Sequence, residues 1–381
     1  MDFKPLPFHS RLREYRAQAQ ELLDGWRAGD AGAVQIFKTR HPRFLDERIP
    51  WLPKKLTDSE IRAVTIELTD AELALARWYD FRDWPALAEY AESVAQESSP
   101  AYQFEGAVEA VISGDLEALR GALKEHPELS RARSARVTHF DPPAHRATLL
   151  HYVAANGTEG YRQRCPPNAV AEVLLQADAE VDALADLYGG QCTTMSLLVS
   201  SSHPAEAGLQ VALAETLLDW GAAIEGRGSG TWVSPLMTAL AFGYLDAAEV
   251  LARRGARVDS LAAAAGLGRI TRARDLLAGA ASGDRHRALA LAAQHGHTEI
   301  VRMLLDAGED PNRYNPEGNH THSTPLHQAA GSGHESVVRL LVERGARLDI
   351  EDTIFKGTPL GWAEYGGRRE VAAYLRRSGA V

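Results

Sequence analysis

The sequence predicts an all-α fold: a solenoid of helix-turn-helix units with β-turn fingers, preceded by a helical N-terminal region. Three observations carry that expectation. Openings of the Thr-Pro-Leu type recur across residues 101–381, paired apolar residues at helical spacing follow them, and glycines stand where the helices should stop. Recurrence of this kind marks units that bury their apolar faces only against their neighbours. No sheet is expected beyond finger hairpins. Residues 1–100 form the capping region and residues 101–381 an array of about eight repeats.

The clearest unit runs over residues 323–349, Ser-Thr-Pro-Leu-His-Gln-Ala-Ala-Gly-Ser-Gly-His-Glu-Ser-Val-Val-Arg-Leu-Leu-Val-Glu-Arg-Gly-Ala-Arg-Leu-Asp. Thr324 supplies a hydroxyl cap, and Pro325 sits in the first turn, where a missing N–H costs nothing. Gly333 ends that helix. A second helix carries Val337, Val338, Leu340 and Leu341, and Gly345 offers the positive φ that stops it. Related openings stand at Thr148, Thr193, Ser234 and Thr358, and Gly221, Gly255, Gly308 and Gly379 close second helices.

This unit resembles the ankyrin motif at nearly every defining position, and the chain is identified on that ground as an ankyrin-repeat protein. The resemblance implies a stack of helix pairs that binds other proteins through a concave face of finger residues and the residues before each inter-helix glycine. Carried over position by position, that face includes Asn156, Phe242, His295 and Tyr365 from the helix ends. Gln191, Trp232, His320, His322 and Phe355 come from the fingers. The resemblance also makes His151, His297, His327 and His334 structural, because they fall on the motif histidine or just after an inter-helix glycine. In the last repeat Gly361 replaces the motif histidine, and Trp362 is expected to fill the space left by that imidazole.

The second apolar residue of each pair serves as a ruler: Leu123, Leu175, Leu218, Leu251, Leu277, Leu305, Leu341 and Leu375, spaced by 52, 43, 33, 26, 28, 36 and 34. The family period is roughly 33. Two short units in the middle lack a full finger. The long spacings hold an extended finger (131–146) and two insertions, 157–167 and 201–209, each between the paired helices of consecutive repeats. They are expected to touch along one edge, with Tyr161, Arg162 and His203 as binding residues. An aromatic ring beside guanidinium groups suits an acidic or planar partner. Pro204 is placed to begin a lengthened second helix.

In the first hundred residues the periodicity predicts helices over 12–26, 59–81 and 84–94, with Asp70 and Asp83 as caps and residues 97–100 as a linker. Residues 68–87 are similar to a segment that precedes ankyrin arrays in many bacterial proteins, which makes this the bacterial type of the family. A cap of this sort would cover the apolar face that a terminal repeat leaves open.

Composition limits the function classes. Forty-one Lys and Arg against 51 Asp and Glu give a formal charge of -10 over 381 residues, so phosphate backbones and anionic membranes are poor partners. Cys165 and Cys192 are the only cysteines, neither has a neighbour in sequence that would activate a thiol, and their scarcity fits a reducing, cytoplasmic setting. The first ten residues, with Pro5, Pro7 and His9, do not read as a signal peptide. No phosphate loop, nucleophile elbow, zinc-protease or paired-cysteine motif is present, which argues against an enzyme without excluding a pocket assembled from several repeats. No cofactor and no metal site is expected. His320 and His322 would lie on one side of an extended finger, but a metal would need a third ligand. The expected function is therefore a non-catalytic protein-interaction module, with a small-molecule receptor or enzyme as the alternative.

Overall fold

The computed structural model describes residues 3–154, 166–187, 190–229 and 234–380. The chain falls into two compact units, Met1–Ala223 with Arg227–Gly230, and Ile224–Gly226 with Thr231–Val381. Among the described residues no helix is long and apolar enough to cross a membrane.

The first unit begins with α1 (Leu12–Arg27), α2 (Ala31–Arg40), α3 (Asp58–Arg62), α4 (Leu68–Trp78) and α5 (Trp84–Ser93). Tyr15, Leu22, Phe37, Leu75 and Tyr79 lie at the centre of their shared core. Two expectations need correction. The single helix over 59–81 is two helices, and Asp70 does not cap the second. Glu67 occupies the cap position, and Asp70 reaches back from the first turn to accept its N–H at 2.9 Å. Asp83 does cap α5, accepting the Ala86 N–H at 2.9 Å. Helix α2 has no counterpart in the sequence reading because only Ala33, Ile36 and Phe37 of its ten residues are buried, too few to show a stripe.

Residues 97–100 lead directly into the next helix. Ser99 caps α6 (Pro100–Ser113) by accepting the Tyr102 N–H at 3.0 Å, with Pro100 in the first turn. Helix α7 (Leu116–Glu125) completes that pair. A short 3-10 helix (Leu149–Ala154) precedes α8 (Asn168–Gln176), and α9 (Thr194–Leu198), α10 (Ser202–Glu206) and α11 (Gln210–Asp219) follow. Strands β1 (Ala185–Leu187) and β2 (Gly190–Cys192) form an antiparallel finger hairpin with Ala185 opposite Cys192. Pro204 does not lengthen the second helix. It sits inside the separate helix α10, which ends before Gly208 at φ +69, and α11 starts afresh beyond it. The buried Gln210 side chain ties the insertion to its own repeat, donating to the Leu198 carbonyl at 2.9 Å.

One contact explains how the N-terminal helices hold the first pair. Arg136, from the long finger, is 5% exposed and lies 4.2 Å from the Phe81 ring centroid and 4.8 Å from that of Tyr90. Its guanidinium donates to the Tyr79 carbonyl at 2.9 Å and approaches the Glu105 carboxylate of α6 at 3.5 Å. A charge so far from water needs an anion and several acceptors, and this one has both.

The second unit consists of five pairs: α12 (Pro235–Ala241) with α13 (Leu245–Arg253), α14 (Leu261–Gly266) with α15 (Ile270–Leu277), α16 (Ser282–Gln294) with α17 (Thr298–Asp306), α18 (Pro325–Ser332) with α19 (Glu335–Glu343), and α20 (Pro359–Tyr365) with α21 (Arg369–Arg377). The first helices of adjacent pairs pack closely on one another, while the second helices are amphipathic and face outward. Glycine is required between paired helices by both conformation and space. Gly268 and Gly296 have φ +68 and +79, and a Cβ there would meet the imidazoles of His297 at 2.7 Å and His334 at 2.6 Å. Those rings donate in turn to the Gly266 and Gln294 carbonyls at 2.9 Å each. In the last pair Arg368 takes the histidine's place, donating to Gly331 O at 2.9 Å.

Candidate functional site

The candidate site is the inner-helix and finger side of the second unit. Its frame is set by histidines. In the finger-to-helix turn, Thr324 N–H donates to His327 Nδ1 at 3.2 Å, which fixes the ring as the Nε2–H tautomer. Nε2 donates to the Gly357 carbonyl of the next finger at 3.1 Å. His151 repeats the arrangement in the first unit, accepting from Thr148 N–H at 3.1 Å and donating to Cys192 O at 3.3 Å. Burial pulls His151 down to about 4, and it lowers His327 as well, so both rings stay neutral and both are structural.

Three further side chains converge on the end of α12. His295 Nε2 donates to Leu240 O at 2.8 Å, Gln294 Nε2 to Ala241 O at 3.0 Å, and His320 Nε2 to the same Ala241 carbonyl at 2.7 Å. These bonds reach across the intervening helix α14. Side chains of α16 and of the finger before α18 thus contact the end of α12 from repeats that are not adjacent to it. Burial depresses His295 to about 4 and lowers His320 too.

The finger after α17 is not extended at its histidines. His320 has φ +55, yet the two rings stay in edge contact, 5.9 Å between centroids: His320 also lies against Phe242 at 6.2 Å, while His322 faces Phe355 at 6.1 Å and Trp362 at 5.7 Å. The extended backbone behind that expectation is absent, but the two rings do lie together, brought there by a left-handed turn instead of strand alternation. The finger also has packing duties, because Asn315, Asn319 and Ser323 are buried within it. Among the described residues no group of three His, Cys, Asp or Glu side chains could hold a metal ion.

Beyond His322 the rings continue into a cleft of about 620 Å3, lined among others by Gln328, Gly331, Ser332, Phe355, Trp362 and Tyr365. Phe355 is 50% exposed and Tyr365 98% exposed, so both stand at its rim. Trp362 lies 5.4 Å from the His327 ring of the preceding repeat, and its role goes beyond filling space left at position 361. Its indole N–H donates at 3.0 Å to Asp352 Oδ2, which also accepts from Gly357 N–H at 2.8 Å. Asp352 Oδ1 accepts from Ile354 and Phe355 N–H at 3.0 and 2.6 Å. The carboxylate is fully buried. Burial alone would raise it, but these four donors outweigh that effect and hold it below the ordinary carboxylate range.

Of the residues expected to bind, Phe242, His295, His320, His322, Phe355 and Tyr365 belong to this face. Gln191 is exposed on β2 and His203 half-buried in α10, both in the first unit. Asn156, Tyr161, Arg162 and Trp232 lie outside the described residues, as does most of the insertion expected to meet 201–209. Asp352 and Trp362 were not singled out as site residues. The signal available for Asp352 was its place at the head of Asp-Thr-Ile-Phe-Lys-Gly, since an aspartate that starts a turn accepts from the N–H groups two and three residues on.

Stacked helix pairs joined by finger turns, with rings and small residues on the inner side, define a repeat scaffold. A model of ankyrin repeats in three copies matches residues 260–352 and 289–381. Cyclin-dependent kinase 4 inhibitor B of Bos taurus is 34% identical over 117 residues, covering 23% of this chain and 88% of that protein. Ankyrin repeat and SAM domain-containing protein 6 of Mus musculus is 40% identical over 85 residues, 22% of this chain. Ankyrin repeat and KH domain-containing protein mask-1 of Caenorhabditis elegans is 32% identical over 219 residues, 55% of this chain. The chain spans only 9% and 8% of those two longer proteins. It belongs to the ankyrin-repeat family.

Proposed function

We propose that this chain is a non-catalytic protein-interaction module that takes its partner on the inner-helix and finger face of the second unit. The observation that carries the reading is the rim of Phe355, half exposed, and Tyr365, almost fully exposed, beside a cleft whose floor is fixed by hydrogen bonds. Exposed aromatic anchors on a rigid frame are what interfaces use, because ordering them on binding costs little. Relatives named as inhibitors of a kinase act on a protein, which supports a macromolecular partner here. The cleft also lies within the roughly 300–1,000 Å3 range of small-molecule sites, and that is the specific ground for the alternative reading.

In this reading residues 1–100 cap an array formed by 101–381, and the buried Arg136 clamp supports that division. The bacterial association rests on residues 68–87 alone, and the cytoplasmic setting on the two cysteines, of which Cys192 is buried with its thiol pushed up to about 11 by burial. The test is a photo-crosslinking amino acid placed at position 365 or 355 on the inner side and at 339 on the outer side. Adducts with one protein from the first two positions and none from the third support the module. Adducts confined to position 339 overturn the assignment of the face.

A further inference from the structure

We propose that the cleft between α18, α20 and the finger at 350–357 receives a cationic side chain, lysine or arginine, carried by the protein partner. This deepens the interaction-module reading and rests on it.

The chemistry of the walls selects the cation. Phe355, Trp362 and Tyr365 all line this one cleft, and ring faces attract a positive charge within about 6 Å. Beneath them lies Asp352, fully buried, whose four donors are three backbone N–H groups and an indole, all neutral. Among the described residues no Lys or Arg pairs with it. A buried carboxylate stabilised only by dipoles keeps its negative charge, and its field acts on the cleft directly above it. Because the Trp362 indole donates to that carboxylate, electron density shifts into the ring and strengthens its hold on a cation. An anionic group would be repelled, and a neutral one would gain only burial.

The floor is held rigid by close helix packing. Gly331 and Gly361 lie within helices, where glycine weakens the helix relative to alanine. Neither they nor Gly366, at φ -75, require glycine for conformation. What glycine provides is the close approach of α18 and α20. A Cβ at Gly366 would meet Gly331 O at 2.8 Å, and one at Gly331 would meet Trp362 at 3.2 Å. The chain's formal charge of -10 adds long-range attraction for a basic segment.

The test uses the full chain labelled with 15N, with the Trp362 indole N–H as reporter, assigned by its loss in Trp362→Phe. The probes are N-acetyl-arginine amide and N-acetyl-lysine amide, against N-acetyl-citrulline amide, which has nearly the shape of the arginine probe without its charge. The expected result is a saturable shift with both cations and binding weaker by at least about fivefold for citrulline. Phe355→Ala with Tyr365→Ala should weaken the cations by about tenfold and leave the far-UV circular dichroism unchanged. Equal response to citrulline, or no response to either cation, overturns the proposal. Crosslinks at position 365 in the absence of cation binding would remove the cationic assignment and leave the interaction module standing. Cation binding with no inner-face crosslinks would remove the module, and with it the claim that the cation arrives on a protein.

Discussion

Replacing Gly296 by alanine separates two costs that the repeat architecture normally combines. Gly296 and Gly345 share the left-handed backbone, at φ +79 and +86, but a Cβ at Gly345 would meet nothing within 4 Å whereas one at Gly296 would meet His334 Nδ1 at 2.6 Å. Gly345→Ala should therefore cost only the conformational penalty, about 1 kcal/mol. Gly296→Ala should cost that and also drive the imidazole from the Gln294 carbonyl, which it meets at 2.9 Å. The lost hydrogen bond and the displaced ring add about 2 kcal/mol. Urea unfolding of the full chain, followed by circular dichroism, measures both variants on one scale. In a Gly296→Ala background, His334→Ala should cost less than it does alone, because the clash and the bond disappear together. Equal losses for the two glycine variants, or strict additivity with His334→Ala, would refute the claim that these imidazoles couple adjacent repeats.

Arg136→Met should destabilise the first unit by about 3–5 kcal/mol, since it leaves Glu105 buried without a cation, and Glu105→Gln in the same chain should recover part of the loss in thermal melts. For His295 the folded pKa, about 4, lies below the ordinary 6.5, so stability is intact above pH 6.5 and is lost as pH falls toward 4. Its full contribution is about 3 kcal/mol, and urea midpoints at pH 7 and pH 5 should differ less in His295→Gln than in the parent chain. Tyr365→Ala should leave the melting temperature within about 2 °C, because a ring 98% exposed supports no packing, while weakening partner binding about tenfold.

What the sequence displays most legibly is whatever depends on local spacing. The Thr-Pro-Leu-His turn, the apolar pairs and the closing glycines all sit at short range, and the structure places Thr324, His327 and Gly345 in the roles their motif implies. The helices of the first hundred residues were less legible. The sequence gives no helical stripe for α2, and α3 and α4 share a periodicity that hides the break between them. Of the candidate site, the sequence singles out the exposed rings Phe355 and Tyr365, because they fall on positions that the family resemblance marks for recognition. It was not legible at His320, whose positive φ lets it reach a carbonyl 79 residues earlier while its ring stays beside His322. Nor was Asp352 legible, because its importance depends on a tryptophan ten residues later whose indole turns back to meet it.

Hydrogen–deuterium exchange of the chain with and without its crosslink-defined partner tests the central claim most directly. Backbone amides of the inner side, at Gly331, Ser332, Phe355, Tyr365 and Gly366, should gain protection on binding. Those along the exposed faces of α17, α19 and α21 should not change. Protection confined to the outer helices, with the inner positions exchanging as before, would contradict the account.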